Sequence, residues 1–190
     1  MLKALWRGCV FAGCLGSFTV AAPAQQVVHA LTGTVSSIDD VSKTLTVFQD
    51  NGSEGQFKDM TNEKTHVVID KKVALESPSP DSFKKKGAYV IVFYCGDNED
   101  RSAVALKNLG TGPFTSIEGT VVKFEGKQHS LSLQDTSGAT QTFKIAADTV
   151  AEGYMGVVNG LKFQAQKGDH IRVVGTTDGS GATALFVREM

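Results

Sequence analysis

The chain is poor in the residues around which small exported folds and metal centres are usually built. Of its 190 residues three are cysteine, four proline and one tryptophan, and half of these fall in the first two dozen positions: Trp6, Cys9, Cys14 and Pro23. Beyond residue 24 only Cys95 carries a thiol. One thiol makes no intrachain disulfide, so a disulfide-dense scaffold is excluded and apolar burial must hold the fold. An excess of charge is also missing: 19 basic and 20 acidic side chains leave a formal net of -1. No global field draws such a chain to nucleic acid or anionic membrane. Catalytic signatures are absent too. There is no His-Glu-x-x-His, no nucleophile elbow and no phosphate-binding glycine loop, and Gly52-Ser53-Glu54-Gly55 has the residue types at the wrong spacing. The acidic runs Asp39-Asp40 and Asp97-Asn98-Glu99-Asp100 lack the spacing of a calcium loop and read as solvated turns.

What is present is a globular composition of strands and turns, 41% hydrophobic and 21% charged with 20 glycines. The first 24 residues read as a signal peptide. Lys3 and Arg7 precede an apolar stretch over 8–22, and Ala22-Pro23-Ala24 supplies the small residues of a cleavage site. Gly13, Gly16, Ser17 and Thr19 interrupt the stretch, which falls short of the roughly 20 apolar residues of a membrane span. Phe11-Ala12-Gly13-Cys14 resembles a lipoprotein box, but Arg7 lies close upstream and the apolar stretch continues past Cys14. The expectation is a periplasmic or secreted protein with no transmembrane anchor in the mature chain. Removing 24 of the 190 residues leaves 166, with two basic groups lost and no acidic one, a net of -3.

The mature chain is internally duplicated. Gly33-Thr34-Val35 returns as Gly119-Thr120-Val121, Leu45 and Val47 as Leu131 and Leu133, and Phe57-Lys58 as Phe143-Lys144, each displaced by 86 residues. The offset falls to 81 for Gly87 and Gly168, and is read as 79 for Ala103, Ala105 and Leu106 against Ala182, Ala184 and Leu185. The unit is longer than a solenoid repeat. Five strands are expected in each copy: 28–38, 44–50, 55–59, 88–94 and 102–109, then 116–124, 129–134, 140–145, 170–176 and 182–188. Asn51-Gly52, Glu125-Gly126, Ser137-Gly138 and Asp178-Gly179 supply the turns. Long connections follow the third strand of each copy, at 60–87 and 146–168. Five short antiparallel strands with one long excursion predict an all-β chain of two tandem five-stranded OB-like Greek-key barrels after the signal peptide. The first barrel spans 25–110, a linker 111–114, and the second barrel 115–190. The short linker implies barrels in contact.

Gly33-Thr34-Val35, Thr44-Leu45-Thr46-Val47, Lys86-Gly87-Ala88-Tyr89-Val90 and, closer to the pattern, Lys167-Gly168-Asp169-His170-Ile171-Arg172-Val173 together resemble a family of bacterial exported OB-type domains. The resemblance spans both copies from about Leu31 onward. Its motifs are structural glycines and core positions, so it implies a fold and brings no catalytic residue and no cofactor.

Sites were weighed on that scaffold. Cys95 ends an apolar strand with no histidine beside it, so a structural thiol is favoured over a nucleophile. Small periplasmic copper-binding barrels share the early glycine pattern but use His, Trp and two Met. Here no Trp remains, Met60 and Met155 stand one per copy, and His29, His66, His129 and His170 are scattered. No metal site is expected. The usual ligand face of an OB barrel, strands two and three, offers Phe48, Thr44, Thr46, Gln56 and Lys58 in the first copy, and only Ser130, Ser132, Gln134, Thr140, Thr142 and Lys144 in the second. Lys71, Lys72, Lys84, Lys85 and Lys86 form a candidate basic patch, though export makes nucleic acid an improbable partner.

The fourth strand of the first copy is unusual. With Val90 and Val92 inside, Tyr89, Ile91 and Phe93 point outward where the second copy places His170, Arg172 and Val174. An apolar outward row needs a cover, supplied by the first connection, by the second barrel, by an envelope protein or by a second copy of the chain. On this alignment Val174 faces solvent, so Val174→Asp is expected to cost less than Phe93→Asp. The sequence thus reads as an exported, non-enzymatic binding or interaction module of the bacterial envelope. A small-ligand or metal carrier and a thiol-dependent enzyme using Cys95 are the alternatives.

Overall fold

A computed structural model describes residues 27–39, 41–59, 86–97, 100–179 and 181–190. Apart from the 3-10 turn Gly160–Lys162, the elements given for the described residues are β-strands. Five belong to the first sheet: β1 (His29–Asp39), β2 (Thr44–Gln49), β3 (Glu54–Asp59), β4 (Tyr89–Cys95) and β5 (Ser102–Gly110). They close into a barrel in the order β1-β2-β3-β5-β4, with β4 returning to β1. Closure comes from a parallel pairing that sets Lys58 opposite Ser102. Alternation puts Leu31, Val35, Leu45, Val47, Phe57, Val90, Val92 and Leu106 inside.

The second sheet contains β6 (Thr115–Glu125), β7 (Ser130–Gln134), β8 (Thr140–Gly153), β9 (Gly156–Asn159), β10 (His170–Asp178) and β11 (Gly181–Glu189). Their order is β11-β10-β6-β7-β8-β9, with an additional parallel pairing of β8 to β11. Val121, Leu131, Leu133, Phe143, Ile145, Ile171, Val173 and Val187 form its core. The sequence pattern missed how far β8 runs. Residues 146–153 continue the strand and turn back through β9, where the sequence reading has a long connection over 146–168.

The two sheets repeat each other in detail. The β1–β2 pairing slips between Val35 and Ser37, and the β6–β7 pairing slips between Val121 and Lys123, 86 residues later. Among the described residues Lys43 and His129 are the two non-glycine positions with positive φ, at 53° and 50°, again 86 apart. Val35 donates to Ala88 O and accepts from Gly87 N; Val121 does the same with Asp169 O and Gly168 N, every distance being 2.9 Å. The last strands correct the sequence alignment. A slip between Phe93 and Tyr94 is matched by one between Val174 and Gly175, and Tyr94 opposite Ala103 is matched by Gly175 opposite Ala184. The offset therefore stays at 81, and the shared alanines that suggested 79 are two residues out of register.

A third apolar cluster joins the sheets. Val28, Ala30, Ile91, Phe93, Cys95 and Ala105 of the first meet Val150, Val174 and Phe186 of the second. Phe93 and Val174 are equivalent positions at offset 81, as are Ala105 and Phe186. Polar links flank the cluster: Val157 N–H donates to Val28 O at 3.1 Å, and the Lys107 ammonium donates to Asp148 O at 2.6 Å.

Candidate functional site

Along β3, between the end of β2 and the segment before β5, Gln49, Ser53, Glu54, Gly55, Gln56, Lys58, Asp100 and Arg101 line a groove of about 610 Å³. Its floor follows from strand alternation. Leu45, Val47, Gly55 and Phe57 are buried, so Thr44, Thr46 and Phe48 and, across the ladder, Lys58, Gln56 and Glu54 face outward. Phe48, half exposed, sits opposite Glu54 on β2, beside the groove and outside its lining. One end is shaped by the β2–β3 turn. There Asn51 Oδ1 accepts from Ser53 N and Oγ at 3.0 and 2.7 Å, and Ser53 Oγ accepts from the Gln49 amide at 3.1 Å. The missing side chain of Gly55 makes room for that amide, because a Cβ there would lie 2.9 Å from Gln49 Nε2.

Barrel closure builds the opposite wall. Lys58 N–H donates to Arg101 O at 2.9 Å, which holds the segment before β5 against β3. The Lys58 ammonium pairs with Asp100 at 3.0 Å, and the Arg101 guanidinium lies 5.3 Å from the centre of the Tyr94 ring. Two acids and two bases leave the groove without net charge. Among the described residues the side chains of Glu54 and Gln56 have no hydrogen-bond or ion-pair partner. Sequence reasoning found Phe48, Gln56 and Lys58 but assigned Asp100 to a solvated turn and passed over Arg101.

The sequence-derived candidates lie as follows. Ile91 and Phe93 are fully buried in the cluster between the sheets, and Tyr89 is partly buried there, stacked on Phe114 with ring centres 4.7 Å apart. The cover on this row is the chain's own second sheet. The Tyr89 hydroxyl donates to Asp50 at 2.6 Å, and its pKa is pushed far up by burial and then by that carboxylate. Val174 is fully buried in the same cluster, which corrects its expected solvent-facing position. Phe93 of one outward row shares the cluster with Val174 at the equivalent position of the other, whose His170 is exposed. Lys71, Lys72, Lys84 and Lys85 of the candidate basic patch lie outside the described residues, as do His66 and Met60; Lys86 is exposed in the turn before β4.

Beside the seam Glu152, almost fully buried, accepts from or pairs with His29 Nδ1 at 2.9 Å and faces Arg188 Nε at 3.4 Å. A buried carboxylate is tolerated only with such partners. Among the described residues no three His, Cys, Asp or Glu side chains gather as a metal site would require, and no helix is long and apolar enough to cross a membrane. Cys95 is buried and free, and burial raises its pKa. A raised pKa lowers the thiolate fraction at neutral pH, and the thiolate is the reactive form. Maleimide labelling of Cys95 in the folded chain is therefore expected to be at least about 100-fold slower than in urea-unfolded chain. Equal rates would mean an open thiol and would revive a thiol-dependent activity.

The chain matches no protein-family model and no curated protein.

Proposed function

We propose that the chain is an exported, non-enzymatic binding module of the bacterial envelope, two OB-type Greek-key barrels in tandem of which the first carries the ligand face. The groove over β2 and β3 carries this reading, because ligand pockets are concave surfaces with a few polar groups fixed in place and this face is the one OB barrels commonly use. In support of a second barrel, the pairings β6–β7, β7–β8, β8–β11, β11–β10 and β10–β6 form a circuit. Its one parallel step is equivalent to that of the first sheet. The buried thiol with its raised pKa favours binding over covalent chemistry. Tyr89, Ile91 and Phe93 serve in this reading as the joint that fixes the two barrels, while the ligand is met elsewhere.

Two measurements test it. Envelope extract passed over the immobilised mature chain is expected to leave a species bound that Gln56→Ala does not retain, since the substitution removes an unpartnered amide from the groove lining; equal retention by both proteins would remove the groove from the reading. Export predicts an intact mass that begins at Gln25. A chain beginning at Met1, or at a lipid-modified Cys14, would overturn the assigned processing.

A further inference from the structure

We infer that the ligand of the β2–β3 groove is a neutral, hydroxyl-rich glycan chain, an inference that rests on that face being the ligand face. Charge supplies the first argument. Glu54 and Asp100 offset Lys58 and Arg101, and the Lys58 ammonium is already matched by Asp100 at 3.0 Å. A polyanion laid in the groove meets two carboxylates, and a polycation meets an ammonium and a guanidinium. Juxtaposed like charges oppose either partner, whereas an uncharged ligand meets no such opposition.

Hydrogen-bonding capacity supplies the second. Each sugar hydroxyl both donates and accepts, and the groove offers both roles side by side. The Gln56 amide donates and accepts, the Glu54 carboxylate accepts, and neither has a partner among the described residues. Phe48 supplies the third, as a half-exposed aromatic side chain beside the groove, directly across the ladder from the lining residue Glu54. An aromatic face gives the apolar C–H side of a pyranose a contact surface while the ring's hydroxyls reach the polar floor.

The duplication provides an internal control. At offset 86 Phe48 becomes Gln134, Glu54 becomes Thr140 and Gln56 becomes Thr142, and at offset 81 Asp100 and Arg101 become Gly181 and Ala182. The second sheet thus keeps the strands and loses the neighbouring aromatic, the carboxylate and the wall. Its Ser132 and Thr142 hydroxyls bond each other at 2.7 Å. The groove's features belong to one copy only, whereas common scaffold requirements would have put them in both.

Saturation-transfer NMR on the full-length mature chain tests the inference, with neutral hexasaccharides of α-1,4-glucose, β-1,4-glucose and β-1,4-N-acetylglucosamine as probes, and hexagalacturonate and a thymidine dodecanucleotide as anionic comparisons. At least one neutral hexasaccharide is expected to bind at millimolar concentration, with Phe48→Ala and Gln56→Ala each weakening it by about tenfold or more and Gln134→Ala leaving it unchanged. Phe48 and Gln56 are exposed, so both variants are expected to keep the wild-type melting temperature. No binding by any neutral probe, with hexagalacturonate or the oligonucleotide binding in a Phe48-dependent way, would overturn the ligand class and leave the face standing. Neutral binding insensitive to Phe48 and Gln56 but lost in Gln134→Ala would overturn the face itself. Silence from every probe would overturn both.

Discussion

Phe93→Asp is expected to destabilise the chain by more than about 4 kcal/mol, because it removes a fully buried aromatic and places a carboxylate in an apolar seam with no partner. Large-to-small changes at such a position already cost about 3–5 kcal/mol, and a small protein has only about 5–15 kcal/mol in total. For a chain of this length each kcal/mol moves the melting temperature by about 2–4 °C, so a fall of more than about 10 °C is expected by calorimetry. Val174→Asp is expected to fall comparably, since Val174 lies in the same cluster at the equivalent position. Reading the outward row of the second copy as solvent-facing predicted a milder effect there. Met155→Asp, at an almost fully exposed turn position, is the control and is expected to stay within about 0.5 kcal/mol of wild type. The seam is internal to one chain, so sedimentation should not change in any variant that remains folded. A Phe93→Asp protein that melts within about 2 °C of wild type would show that the two sheets do not rely on this contact.

Much of the architecture is legible because β-sheets repeat local rules. Strand alternation and turn glycines, with the 86-residue displacement, located the five strands of the first sheet and five of the six of the second, leaving β9 unseen. Features that depend on distant partners were not legible. The extension of β8 carries Glu152, which in sequence looks like a surface residue. Its burial is tolerated through His29, 123 positions away, and Arg188. Asp100 and Arg101 look like a turn, and become the groove wall only when β5 closes against β3. Val174 looked exposed because alternation tells which side of a sheet a residue occupies and says nothing of what lies against that side. The register of β11 was misread for a related reason: matching alanine to alanine ignored that Ala103, Ala105 and Leu106 share their buried, buried, buried spacing with Ala184, Phe186 and Val187.

Gly33→Ala and Gly119→Ala are each expected to cost about 1–3 kcal/mol, the range for forcing a methyl group into filled space. Neither glycine has a positive φ, so left-handed backbone is not the reason for its presence. The reason is close approach. A Cβ on Gly33 would lie 2.4 Å from Phe48 O, and one on Gly119 would lie 2.4 Å from Gln134 O, two carbonyls related by the same 86-residue displacement as the glycines. Both obstacles are backbone atoms of the neighbouring strand, so no side-chain rotation relieves them and the strands must separate locally. That requirement explains why the first residue of the repeated Gly-Thr-Val motif is glycine in both copies. Gly179→Ala supplies the contrast, having open space around its Cβ and no positive φ, and is expected to be neutral or stabilising by up to about 1 kcal/mol through the unfolded chain. Because the two glycines lie in different sheets, the double variant is expected to be additive to within about 0.5 kcal/mol in urea unfolding. Wild-type stability in either single variant would mean that the strands part without cost at that crossing, and strong non-additivity would mean that the two sheets respond to the crossing as one unit.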